Sequence, residues 1–200
     1  MKKILLFLSA VLLALLAPVY AKAAVPSAIS QSAPVMATMY GGNGYFMGFI
    51  HKEQVDELHK ATESFVTYSG CRLDPDFRAK ADNYITDHPC YGKPSAAWLQ
   101  EMGKALGADY VNYVDINVDS FHAPGFFHTT VEGMITTTVR TIRIADGETV
   151  LNAKASQEGK IEKTALQCAL AALENAKQVE KENHIIFVKK QFLCNLKAGA

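Results

Sequence analysis

Tyr110-Val111-Asn112-Tyr113-Val114-Asp115-Ile116-Asn117-Val118-Asp119 is the stretch that decides the fold. It alternates with period two, placing Val114, Ile116 and Val118 on one face and Asp115, Asn117 and Asp119 on the other, the pattern of a strand covered mainly on one side. Just upstream, Ser95 stands where it can cap a helix running through Ala97, Trp98, Met102 and Leu106, and Gly107 stops that helix. Downstream, residues 129–144 form a run rich in Thr, Val and Ile, followed by Asp146-Gly147 and a short run through Val150 and Leu151. Asp-Gly accepts the positive backbone angles of a two-residue turn, so an antiparallel hairpin is expected there.

The outer segments complete the pattern. Lys160 to about Glu182 reads as the longest helix, with Ile161, Ala165, Leu166, Cys168, Ala169, Ala172, Leu173 and Ala176 on a broad apolar face. Ile185 to Leu193 is apolar and partly β-branched and reads as a last strand, its lysines marking an edge. On the other side, Val55, Leu58, Ala61, Phe65 and Val66 recur at helical spacing from Lys52 until Gly70 ends the element, and a shorter helix is expected from about Pro75 to Ile85. Pro34 to Tyr40 is a candidate first strand, running into Gly41-Gly42-Asn43-Gly44, a glycine-rich turn that matches neither the dinucleotide fingerprint nor the lysine-bearing phosphate loop. The fold class is α+β: a single domain with a mixed sheet, including an antiparallel hairpin, packed against amphipathic helices.

The amino terminus sets the compartment. Lys2 and Lys3, the uncharged apolar run Ile4–Leu16 and Ala21-Lys22-Ala23 have the layout of an export signal with its cleavage site. The expected organisation is a signal peptide at 1–23, a flexible leader at 24–34, one globular domain at 35–196 and a tail at 197–200. The precursor carries 20 basic and 20 acidic residues; loss of Lys2, Lys3 and Lys22 leaves 17 against 20, a net charge of about −3. No basic stripe for nucleic acid follows, and no membrane anchor is expected after cleavage. Localisation is periplasmic or secreted.

Cys71, Cys90, Cys168 and Cys194 make an even count in an exported chain, which favours disulfides. Cys71–Cys90 and Cys168–Cys194 are the favoured pairs, the first closing a loop of about 20 residues and contributing roughly 3 kcal/mol in the chain-entropy model. Zinc held by Cys71, His88 and Cys90 is disfavoured, because His88-Pro89-Cys90 is tighter than structural zinc spacings. No cofactor is called for.

The order of helix, Leu106-Gly107-Ala108-Asp109-Tyr110-Val111, strand, hairpin with Asp146-Gly147-Glu148-Thr149-Val150-Leu151 and long alanine-rich helix resembles bacterial envelope domains of the type found at the amino terminus of the Tol translocation protein. The curli-secretion lipoprotein and the lipoprotein activators of peptidoglycan synthases look similar in the same way. The resemblance covers roughly residues 95–180 and implies a protein-interaction or assembly role, with no catalytic residues to carry over. This chain departs from it in having no lipidation cysteine at the signal junction and in carrying a cysteine-bearing insertion at 71–94.

Candidate site residues lie in loops. Phe46, Phe49, Phe126 and Phe127 stand beside glycines, and His122 and His128 flank Ala123-Pro124-Gly125-Phe126-Phe127; together they form a candidate partner surface. His59 and Glu63, four apart on a helix, read as an ordinary surface pair, and Asp115, Asn117 and Asp119 as a solvated strand face. No Gly-x-Ser-x-Gly elbow is present. The expected function is a soluble exported envelope protein that binds another envelope protein or a cell-wall component as an accessory and performs no chemistry. The alternative is a small exported hydrolase or metal-dependent enzyme using the His122–His128 loop with Glu132.

Overall fold

Four strands and five helices account for the described chain. The computed structural model describes residues 33–46, 48–122 and 131–198, with the side chains of 46, 78 and 183–198 lying outside it. In chain order the elements are β1 (Met36–Gly41), α1 (Asn43–Phe46), α2 (Lys52–Tyr68), α3 (Phe77–Asp87), α4 (Ala96–Leu106), β2 (Tyr110–His122), β3 (Glu132–Arg143), β4 (Thr149–Lys160) and α5 (Ile161–Ala198). Residues 1–23, expected to be an export signal, and most of the expected leader at 24–34 lie outside the described residues.

The sheet runs β1-β2-β3-β4, with β1 parallel to β2 and the other pairs antiparallel. It is a mixed sheet in an α+β domain, as expected, but β2, expected to be covered mainly on one side, is covered on both. Successive β2 residues face opposite ways, and each face has its own core. Val114, Ile116 and Val118 join Ile135, Val139, Leu151 and Ala153 under α2 and α5, which contribute Leu58, Phe65, Ala165, Cys168, Ala169, Ala172 and Leu173. Val111 and Tyr113 join Ala37, Ile142 and Ile144 under α4, which contributes Leu99, Met102 and Leu106. The alanines of α5 bring its axis close to the sheet, and Cys168 Sγ sits 3.4 Å from the carbonyl oxygens of both Ile135 and Ala155. On the other face, a Cβ at Gly103 of α4 would collide with the Ile144 side chain, so glycine sets that packing distance.

The turn before β2 is built by its residues. Ser95 Oγ accepts the Trp98 N–H at 3.1 Å and caps α4. Gly107 ends the helix at φ 68°, with the Ala108 N–H returning to the Gly103 carbonyl at 2.9 Å. Asp109 then accepts the Val35 N–H at 2.8 Å, aligning the start of β1 beside β2.

The structure corrects several expectations. Residues 185–193 are not an edge strand: they continue α5, one 38-residue helix. Neither glycine nor proline interrupts Ile161–Ala198, so nothing in the sequence stops the helix before Gly199. β4 is twelve residues long, well beyond the short run around Leu151. Its buried face is carried by Leu151, Ala153 and Ala155, and alanine gives little strand signal. The hairpin turn spans residues 144–148 rather than two residues, closed by Gly147 N–H to the Arg143 carbonyl at 2.8 Å with Gly147 at φ 75°.

The expected Cys71–Cys90 disulfide is absent, because the two thiols lie on opposite faces of the sheet. Cys71 is packed in the core beneath α2, whereas Cys90 lines a cleft on the α4 side. Cys71, Cys90 and Cys168 all carry free thiols, so Cys168 does not staple the carboxy-terminal segment. The Cys194 side chain lies outside the described residues. Burial pushes the Cys71 thiol up to about 12, with Glu180 and Asp109 adding to the shift.

Candidate functional site

Asp115, expected on a solvated strand face, is 2 % exposed. It lies in the middle of the sheet, opposite Gly41 of β1 and Thr138 of β3, so its backbone has no freedom to withdraw. Its carboxylate opens into a cleft of about 550 Å³ between the Gly42-Asn43 turn, the Cys90-Tyr91-Gly92-Lys93 loop and Asn117.

Glycines make the cleft possible. A Cβ at Gly41 would occupy the place of the Tyr113 hydroxyl, and one at Gly42, whose φ is +96°, would strike the Ile116 carbonyl. Beyond them the Asn43 side chain takes over from β1. Its Oδ1 accepts the Val118 N–H at 2.6 Å and its Nδ2 donates to the Val118 carbonyl at 3.0 Å. The loop on the opposite wall turns at Gly92, φ +91°, and is tied to β3 where the Arg140 guanidinium donates to the Pro94 carbonyl at 3.0 Å.

The charges are unequally held. Tyr113 donates its hydroxyl to Asp115 Oδ1 at 3.2 Å, and burial, reinforced by the Asp115 charge, raises the Tyr113 pKa so that it remains a donor. Asp115 Oδ2 makes no hydrogen bond of acceptable geometry and is met by Lys93 Nζ at 2.7 Å. The lysine side chain is 61 % exposed and the aspartate side chain 3 %. Arg140 lies over the Tyr113 ring, 5.9 Å from its centroid, rather than on the carboxylate. The lining thus offers one fixed anion, one mobile cation, two amides and a thiol. It holds charge and hydrogen-bonds, and its residues contain no nucleophile paired with a base.

The residues singled out in the sequence are placed elsewhere. Phe49 is half-buried against the core beneath α2. His122 is exposed at the end of β2. The Phe46 side chain and all of Phe126, Phe127 and His128 lie outside the described residues. His59 rests on the Tyr40 ring at 5.3 Å, and His88 stacks on Tyr84 at 4.4 Å, on the opposite side of the sheet from Cys71. Among the described residues no three His, Cys, Asp or Glu side chains gather as a metal would require.

Sequence reasoning missed Lys93, Tyr113, Arg140 and Asn43. A signal was present: along one face of β2, Val111 and Tyr113 precede Asp115, Asn117 and Asp119. That set runs from apolar to charged, which marks a face buried at one end and open at the other.

No family model and no curated protein matches this chain. Among solved structures it is similar to the PelC dodecamer from Paraburkholderia phytofirmans, with 14% identity over 72% of this chain and 88% of that one and a TM-score of 0.38. It is similar to the LpoB C-terminal domain from Escherichia coli at 11% identity over 68% and 90% of the two chains, TM-score 0.38. Lipoprotein GNA1162 from Neisseria meningitidis is a further similar structure, at 10% identity over 63% and 83%, TM-score 0.35. The structures that this chain is similar to include bacterial lipoproteins.

Proposed function

We propose that this chain is a soluble exported protein of the cell envelope that binds another macromolecule as an accessory and performs no chemistry. One observation carries the reading: the charged cleft around Asp115 is rimmed by Tyr91, 93 % exposed, and β2 continues past it to Phe121, 67 % exposed. A large aromatic left in water beside a polar recess, as Tyr91 is, is what a partner covers, and Phe121 is a second exposed aromatic farther along β2. Residues 123–130, with Phe126 and Phe127, follow His122 in sequence and lie outside the described residues; they are part of the proposal as further partner-binding residues. Among the described residues no helix is long and apolar enough to cross a membrane.

The test is capture from envelope extract by the immobilised mature chain. Wild type is expected to retain a partner that Tyr91→Ser and Phe121→Ser lose while melting at unchanged temperature. Equal capture by both variants sinks the reading, as does stoichiometric zinc in the purified protein that disappears in His128→Ala.

A further inference from the structure

We infer that the Asp115 cleft receives a primary alkylammonium group, and that Lys93 is the internal occupant which such a group displaces. This rests on the cleft being a binding site. A buried carboxylate persists as an anion only beside a countercharge. Here the acceptor is immobile in the centre of the sheet, while the donor sits on an exposed side chain in a loop. Lys93 loses little on leaving, because its ammonium returns to water and its stem regains rotamer freedom. Asp115 cannot follow it, so the vacated position favours another cation.

The geometry also selects which cation. Oδ1 is already engaged by the Tyr113 hydroxyl, and Oδ2 is the oxygen without a hydrogen-bond partner. A guanidinium gains most from two parallel hydrogen bonds to both oxygens, which this site does not offer; an ammonium needs only one. Lys93 reaches Oδ2 from a largely exposed side chain, so an unbranched alkylammonium can approach along the same open path, past Tyr91 in the cleft lining. Arg140 is engaged by Pro94 and the Tyr113 ring, so it does not replace the missing countercharge. The group could arrive on a lysine of a partner protein or on a free diamine, and the two share this chemistry.

The probe is 1,5-diaminopentane, with pentane-1,5-diol as its uncharged match, added to the mature chain. Lys93→Gln is expected to melt below wild type, to be restored by the diamine and not by the diol, and to bind the diamine at least tenfold more tightly than wild type, because the internal competitor is gone. Asp115→Asn should not respond. In wild type, the side-chain nitrogen resonance of Lys93 should move toward its free position as the diamine is added, a readout that does not depend on the variant folding. An unmoved Lys93 resonance, or a Lys93→Gln/Asp115→Asn protein that responds as well as Lys93→Gln, overturns the inference. A lysine-bearing peptide binding tenfold more tightly than the diamine assigns the source to a partner protein; equal binding assigns it to a free amine. Diamine binding with partner capture unaffected by Tyr91→Ser would remove the macromolecular reading and leave this one standing.

Discussion

The Asn43 side chain takes up both backbone groups of Val118, accepting its N–H at 2.6 Å and donating to its carbonyl at 3.0 Å, where the parallel pairing of β1 with β2 has ended. Backbone pairing of β1 with β2 has stopped two residues earlier, at Gly41 and Asp115, because the chain must turn at Gly42 to form the cleft wall. Asn43→Asp keeps the acceptor and replaces the donor by an oxygen facing the Val118 carbonyl. We expect a loss of about 1 kcal/mol in urea unfolding, the usual net contribution of one part-buried hydrogen bond. Asn43→Asp as stable as wild type would show that the pairing contributes nothing.

Lys93 and Asp115 should respond unequally to mutation. Lys93→Gln leaves a buried carboxylate without its countercharge and is expected to cost about 2 kcal/mol, below the usual figure for a fully buried pair because water reaches the lysine side. Asp115→Asn removes the charge, keeps an acceptor for Tyr113 and frees Lys93 into solvent, and should cost less than about 1 kcal/mol. The reverse order in chemical denaturation would contradict the assignment of Asp115 as the fixed partner.

The architecture was largely legible because it is written in hydrophobic period and turn chemistry. β2 announces itself by alternation, α4 by Ser95 and Gly107, and the β3–β4 hairpin by Asp146-Gly147. β4 was underread because Ala153 and Ala155 bury a face without looking like strand residues. The end of α5 reads as a strand because Ile185, Ile186 and Val188 are β-branched, whereas continuity with a helix that has no stop signal decides its state. The site was less legible, since Lys93 and Asp115 are 22 positions apart in sequence and meet only when the 88–95 loop folds over β2. Phe49 and Cys71 illustrate the same limit: residue type suggested exposure and bridging, and packing placed both in a core.

Thiol reactivity should separate the cysteines. Cys71 is buried with its pKa raised to about 12, and Cys168 is enclosed between β3, β4 and α5, whereas Cys90 lies at the cleft. Brief alkylation of the native protein at pH 8, followed by peptide mapping, is expected to label Cys90 well ahead of Cys71 and Cys168. Preferential labelling of Cys71 would place that thiol outside the core.

Acid stability should depend on two surface carboxylates. A hydrogen bond from Arg143, then one from the Glu148 N–H, holds Asp146 below the usual carboxylate range; Lys80 and the Asp76 N–H do the same for Asp74. A carboxyl depressed in the folded state contributes stability that is fully present above its unfolded value near pH 4 and is lost as pH falls through the folded value. Melting temperature should therefore drop below about pH 4, and Asp74→Asn/Asp146→Asn should flatten that drop by melting slightly below wild type at pH 7 and converging with it at low pH. An unchanged slope in the double variant would mean that other groups govern the acid limb.

The aromatic residues give the sharpest contrast between surface and core. Phe121 is 67 % exposed, so Phe121→Ser removes little buried area and should leave the melting temperature within about 2 °C of wild type while weakening partner association. Phe49 is packed against the core beneath α2, and Phe49→Ser should cost about 1–3 kcal/mol through lost burial alone. Phe126→Ser/Phe127→Ser distinguishes where the connecting loop belongs: a partner-binding tip loses association at constant stability, whereas a loop folded onto the core loses several kcal/mol. Thermal melting and association measured on the same three preparations decide it. We expect Phe121→Ser and the double variant to behave alike, and a steep fall in the double variant's melting temperature would remove residues 126 and 127 from the proposed surface while leaving Tyr91 and Phe121 in it.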